Sequence, residues 1–269
     1  MRRKYLILYM LIFSVENFAA LENIEIGAKP LSLANAVVAW QNNPYALYYN
    51  PANIYISGNV FVGFTYRSFY GLPDLSQINM VTNFYLNKIP TSLGINRFGN
   101  ELYQEYQLHS GISYRFTNES ALGIGFQYYQ LQIVNYGSKA SWGVNLGVSY
   151  TILKGFTLGM FVTNINKPVI GACSEKIPQS LSLGFCYLPL QTLTIGFEFY
   201  RDIRFDQNYR VGIAYEISKT LSLGLGIDDH TNTFSFGMGL KNEWFDFHYC
   251  ILIHQILGVS HVLSIGIVI

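Results

Sequence analysis

The chain has 269 residues, 50% of them hydrophobic and only 12% charged, with 17 Lys and Arg against 16 Asp and Glu. A soluble protein carries about a quarter charged residues, so this deficit, with a mean hydropathy of +0.22, excludes a chain whose whole surface faces water. A net charge of +1 supplies no concentrated basic face and excludes a nucleic-acid partner.

In chain order, the first element is an export signal over residues 1–20. Arg2, Arg3 and Lys4 form its basic start, Tyr5 to Val15 its apolar core, and Ala19-Ala20 its cleavage point. Phe18 stands at the position where a small residue is preferred if the cut follows Ala20. No Cys lies near the cut, which excludes a lipoprotein signal. The apolar run is shorter than the roughly 20 residues of a spanning helix, and no later run reaches that length. Residence in a membrane therefore requires a closed β-barrel, because an open sheet would leave backbone groups unsatisfied in lipid.

The stretch from Gly27 to Ile54 lacks long alternation and is rich in small residues, among them Ala28, Ala34, Ala36, Ala39, Ala46 and Ala52. That composition predicts a segment packed in a confined space, a plug over residues 21–57. Within it, Pro51 keeps Asn50 out of the helical region, and the Asn50 side chain can turn or cap the chain locally. The role expected of Asn50-Pro51-Ala52 is to pin the segment to its surroundings.

From Gly58 onward apolar and small polar residues alternate, as in Leu122, Ile124, Phe126 and Tyr128 against Gly123, Gly125, Gln127 and Tyr129. Period 2 is a strand signal, and it predicts about fourteen strands, near 58–67, 76–86, 90–98, 103–116, 120–132, 140–151, 155–164, 179–188, 191–201, 207–217, 220–228, 232–241, 243–254 and 260–269. One face is large and apolar. The other is mainly Gly, Ser, Thr, Asn and Gln, the pattern of lipid-facing strands around a polar interior. Residues 58–269 are thus expected to form an antiparallel transmembrane barrel in an outer membrane, with Tyr66, Tyr114, Phe116, Tyr128, Tyr150, Phe199 and Tyr209 as interfacial aromatics. Tight turns are expected at Asn87-Lys88, Thr117-Asn118, Leu153-Lys154, Leu188-Pro189, Ser218-Lys219 and Asn242, on the periplasmic rim with both termini. The longest loop, Asn164 to Gln179, falls on the other rim.

Lumen-face glycines such as Gly94, Gly125, Gly159, Gly196 and Gly212 permit either strand bending or close approach of another backbone. The ionisable residues on that face are Arg67, Glu105, His109, Arg115, Glu198, Asp202, Arg210, Glu216, Asp228, Lys241, Asp246 and His248. Both signs are present, which predicts ion pairs that stiffen the lumen and hold the plug. A sharper reading has Arg67, His109 or Arg210 meeting the carboxylate of an amphipathic ligand. Cys173, Cys186 and Cys250 show no metal spacing and are expected as free thiols, although export would permit a disulfide involving Cys173. No nucleophile setting, metal spacing or phosphate loop is present, so neither an enzyme nor a cofactor is expected.

Gly27-Ala28, the run Ala34-Asn35-Ala36-Val37-Val38-Ala39 and Tyr48-Tyr49-Asn50-Pro51-Ala52 together resemble the N-terminal signature of the FadL-like outer-membrane proteins, which include PorV and PorQ of type IX secretion. Ala34 and Asn35 depart from it where glycines are common, and Gln41-Asn42-Asn43 where aspartates are common. The resemblance implies a fourteen-stranded barrel whose lumen is closed by the N-terminal segment, with Gly27, Asn35, Asn50, Pro51 and Ala52 as its motif residues. It also implies either passive uptake of hydrophobic, fatty-acid-like compounds that leave sideways through the wall, or a scaffold that docks secretion-system proteins.

Overall fold

A computed structural model describes residues 21, 25–41, 43–56, 58–72, 74–171 and 174–269. The export signal read over residues 1–20 lies outside that set, as do Asn42 and Cys173. The strands are β1 (Val60–Ser68), β2 (Ser76–Leu86), β3 (Ile89–Gly99), β4 (Tyr103–Arg115), β5 (Ser120–Ile133), β6 (Gly137–Leu153), β7 (Phe156–Val162), β8 (Val169–Ile170), β9 (Glu175–Lys176), β10 (Ser180–Leu190), β11 (Leu193–Asp202), β12 (Asn208–Glu216), β13 (Leu221–Asp228), β14 (Thr233–Lys241), β15 (Phe245–His254) and β16 (Gly258–Val268). All but β8 and β9 join one closed wall in which chain neighbours pair antiparallel and β1 meets β16. The wall has fourteen strands.

The alternation read from the sequence is the alternation of this wall. On β5, Leu122, Ile124 and Phe126 point outward at 41%, 40% and 52% exposure, while Ala121, Gly123, Gly125 and Gln127 are buried inside. An apolar belt continued in this way around every strand suits hydrocarbon and would be untenable in water. Closure then satisfies the backbone, since no edge is left unpaired.

Val60 and Ile269 lie on one rim, where Val60 and Ile269 exchange backbone hydrogen bonds. The tight turns share that rim. Asn87 and Lys88 both hold positive φ, 49° and 69°, the two-residue turn that matches strand twist. The turn expected at Leu188-Pro189 stands elsewhere: both residues belong to β10, which slips register against β11 between Tyr187 and Leu190, and the chain reverses at Gln191-Thr192. Pro189 is tolerated there because a bulge needs no amide donor from it. The connection from β7 to β10 is the longest, as expected, but it carries β8 and β9, a two-stranded pairing too short to leave a period-2 signature. Tyr128 also departs from the expected girdle position, standing well inside β5 opposite Trp142.

Residues 25–41 and 43–54 lie inside the wall. Two helical turns, Ala28–Leu31 and Ala46–Tyr49, and a 3-10 turn at Pro51–Asn53 break the segment into short pieces. Ile26, Leu33, Val37, Val38, Tyr45, Leu47 and Tyr48 pack with Phe61, Val81 and Phe161 of the wall into one buried cluster. The core of the molecule is the interface between this segment and the barrel.

Candidate functional site

The motif residues make the contacts that place the segment. Gly27 holds φ 95°, and a Cβ on it would collide with the Tyr45 ring, so only glycine fits. Asn35 is left-handed at φ 61°, and its Oδ1 accepts from the Tyr49 hydroxyl at 2.9 Å. Asn50 is fully buried. Its Nδ2 donates to Val38 O at 2.8 Å and to Val148 O on β6 at 2.9 Å, and its Oδ1 accepts from Ala52 N at 3.1 Å. Pro51 opens the 3-10 turn with its missing N–H at no loss. Ala52 offers its carbonyl to Ser113 Oγ on β4 at 2.9 Å, and Pro51 and Ala52 fill the space that a side chain at Gly123 would need. A single Asn-Pro-Ala turn therefore ties two parts of the segment to the wall.

The glycines on the lumen face divide between the two expected roles. Gly159, Gly196 and Gly212 face the backbones of Val38, Ala36 and Leu33 with no room for a Cβ, whereas Gly125 meets its wall neighbours Asn145 and Ser110 at ordinary contact distance.

The ionisable residues sort by depth. Arg210 is the hub: it contacts Glu25 at 2.6 Å, Asp228 at 3.0 Å and Glu198 at 3.7 Å and covers the Tyr200 ring. Glu198 also accepts from Val38 N at 3.1 Å, so the cluster joins β11, β12 and β13 to the N-terminal segment. Asp202 is bound by Arg204 at 2.7 Å. His109 has both ring nitrogens engaged, Nδ1 with Gln127 at 2.8 Å and Nε2 with Gln107 at 3.2 Å, beneath the edge of Tyr48. Asp246 and His248 approach to 2.6 Å on one strand, with Lys29 of the segment near them and over the Trp40 ring. Burial draws the Lys29 ammonium below the usual lysine value, with Asp246 opposing that shift. Arg115, Glu216 and Lys241 correct the sequence reading: they share the lumen parity but end their strands at the rim, beyond the filled interior, and are exposed. Cys186 and Cys250 are buried free thiols.

Arg67 differs from the other buried cations. It is 8% exposed, and among the described residues no carboxylate stands within ion-pair distance. Its Nε has no acceptor, and its guanidinium lies 4.0 Å over the Phe69 ring. It faces a cavity of about 360 Å³ at the rim opposite the tight turns, bounded by Glu25, Leu31 and Asn35 of the segment, by Phe69 and Leu252 of the wall, and by the charged group Asp202, Arg204, Asp206, Arg210 and Asp228. Glu25 was not singled out from the sequence. The available signal was the second of two nearby acids, Glu22 and Glu25, just ahead of a small-residue run destined for an enclosed space.

No family model matches the chain, and no curated protein matches its sequence. Among solved structures it is similar to the Ralstonia pickettii toluene transporter TbuX, at TM-score 0.68 and 10% identity over 92% of this chain and 99% of that one. It is similar also to the Pseudomonas putida toluene transporter TodX, at 0.67 and 12% over 92% and 99%, and to a Pseudomonas aeruginosa FadL homologue, at 0.61 and 11% over 92% and 99%. The fold is the closed fourteen-stranded barrel of these structures. At such identities the likeness is one of wall and topology. The residues of this barrel carry its chemistry on their own account, and among the described residues Arg67 faces its cavity with an Nε that has no acceptor.

Proposed function

We propose that the protein is a bacterial outer-membrane channel for passive uptake of small hydrophobic compounds, in which residues 21–57 form a hatch, residues 58–269 the barrel, and residues 1–20 a removed export signal. The observation that carries this reading is the cavity of about 360 Å³ between the segment and the wall, with an unpaired buried guanidinium on one side and Leu31, Leu252 and Phe69 beside it. Such a site suits an amphipathic molecule whose polar end meets the charged wall of the cavity at Arg67 and whose apolar part lies on Leu31, Leu252 and Phe69. The solved structures named for toluene transport support the same class of cargo. Arg67 is the residue assigned to the polar end of the ligand, while Arg210, Glu198, His109, Asp246 and His248 hold wall and hatch. The channel works without catalysis or cofactor.

A sideways exit is supported by the wall around Gly94. Outside it lies a lipid-facing groove of about 540 Å³ lined by Met80, Leu93, Leu108, Phe126 and Trp142. Inside, the Tyr48 hydroxyl occupies the space a Gly94 side chain would take. One backbone thickness separates the two. No observation favours a secretion scaffold.

The test is entry of labelled toluene and labelled long-chain fatty acid into vesicles containing the purified protein. Both are expected to enter faster than into protein-free vesicles, and equal rates overturn the reading. Arg67→Met is expected to slow the fatty acid several-fold and leave toluene unchanged.

A further inference from the structure

Two arginines interrupt the apolar outer face of the wall, Arg97 on β3 and Arg201 on β11, both toward the rim opposite the tight turns. Arg97 shares its face with Ile95, and Arg201 shares its face with Phe199. No aspartate or glutamate of the wall strands stands on that face, and among the described residues neither arginine has a carboxylate within ion-pair distance. Arg97 Nε is buried without an acceptor. Each arginine stands one rung above an apolar groove in the lipid-facing surface. Ile95 lines the groove of about 540 Å³ outside Gly94. Phe199 lines a second groove of about 530 Å³, with Met160, Leu183, Phe185 and Phe197. The first groove exists because Ser110 is small: it stands in register between Leu93 and Phe126 and leaves the space that a large side chain would fill. The rung above it carries Tyr106 and Gln130 beside Arg97.

We propose that Arg97 and Arg201 each hold the phosphate of an acidic lipid of the outer leaflet, whose acyl chains lie in the groove beneath. The inference needs a wall that faces lipid, but it does not need the channel to carry cargo. A guanidinium at the edge of hydrocarbon is costly unless it reaches water or an anion. Its planar fork takes two oxygens of one phosphate, and with no acid on the outer face the charge is offered to the membrane alone. A zwitterionic lipid brings a cation of its own beside the phosphate, which weakens the attraction; a phosphate monoester does not. The groove supplies what charge alone cannot, a fixed place for the chains directly below the headgroup. The first groove is also the one assigned to the sideways exit, so cargo that leaves there would pass among these acyl chains.

The test is native mass spectrometry of the protein in detergent with equal amounts of phosphatidic acid and phosphatidylcholine of the same acyl chains. Up to two phosphatidic acids are expected per chain, each retained about threefold or more over phosphatidylcholine. Arg97→Gln and Arg201→Gln are each expected to lose one of them, and the double variant to bind both lipids alike. A preference unchanged in the double variant overturns the proposal. Ser110→Leu fills the first groove, leaves both arginines in place, and is expected to lose the same lipid as Arg97→Gln. Retention of both lipids in Ser110→Leu would show attraction by charge alone and overturn the groove as a site. Glycerol 3-phosphate in place of phosphatidic acid is expected to leave no adduct; equal binding would mean a site for free phosphate and overturn the lipid assignment. All three positions face outward, away from the N-terminal segment, so each variant is expected to keep the heat-modifiable migration of a folded barrel. Should Ser110→Leu lose it, Ser110→Val takes its place.

Discussion

Ala34 and Asn35 both hold left-handed backbone, at φ 48° and 61°. The resemblance flagged these two positions as places where glycines are common, and the backbone supplies the reason: a residue with a Cβ is disfavoured there by about 1–2 kcal/mol, with Asn tolerated best. Asn35 offsets part of that cost by accepting from the Tyr49 hydroxyl, whereas Ala34 has no side-chain group that could do so. Ala34→Gly is therefore expected to stabilise the protein by about 1 kcal/mol, read as a higher urea midpoint in detergent or lipid. A lower midpoint would mean that the Ala34 methyl contributes more through packing than its backbone costs.

At the scale of elements, the N-terminal segment and the wall are fitted to each other through close backbone approach as well as side-chain packing. Gly159 makes the point, because the Val38 carbonyl occupies the place of its missing Cβ while Gly125, two strands away on the same face, has ordinary clearance. Gly159→Ala must push the segment aside and is expected to cost about 2 kcal/mol. It should also expose residues 25–56 to protease. Gly125→Ala is expected to leave both measurements within error, and equal behaviour of the two variants would show that these glycines serve strand curvature instead. The same close fit explains why the segment needs three short helical pieces, since a longer helix of about 10 Å diameter would not leave its backbone this near the wall.

For the molecule as a whole, the lumen behaves as a core with charges in it. Most are matched, as in the Arg210 cluster. Lys29 is the exception outside the strands, with burial drawing its pKa below the usual 10.5. The unfolded chain then binds that proton more tightly than the folded one, so lowering the pH through the alkaline range favours unfolding. The penalty is present at neutral pH and vanishes above about pH 10.5, where Lys29 is neutral in both states. Lys29→Met should consequently raise the urea midpoint at pH 7, and its advantage over the natural sequence should shrink as the pH rises. An advantage that stays constant with pH would trace to the methionine side chain rather than to the charge.

Strand number, outward face and rim assignment were legible in the sequence because a wall that is apolar outside and polar inside imposes a period of two on every strand, and Leu122 to Tyr128 shows it without any tertiary knowledge. The N-terminal segment was legible as something confined, through its alanines and Asn50-Pro51-Ala52. Depth along a strand was not: Arg115 and Glu216 have the parity of Arg67 and Arg210, and only the tertiary structure puts them past the filled lumen. Pairing was not legible either, since the Glu25–Arg210 contact spans 185 positions and the one between Leu21 and Glu105 spans 84. Periodicity is a local property, written in neighbouring residues, whereas the site is made where distant residues meet across a closed wall. Which cation keeps a partner and which, like Arg67, is left facing a cavity depends on that closure.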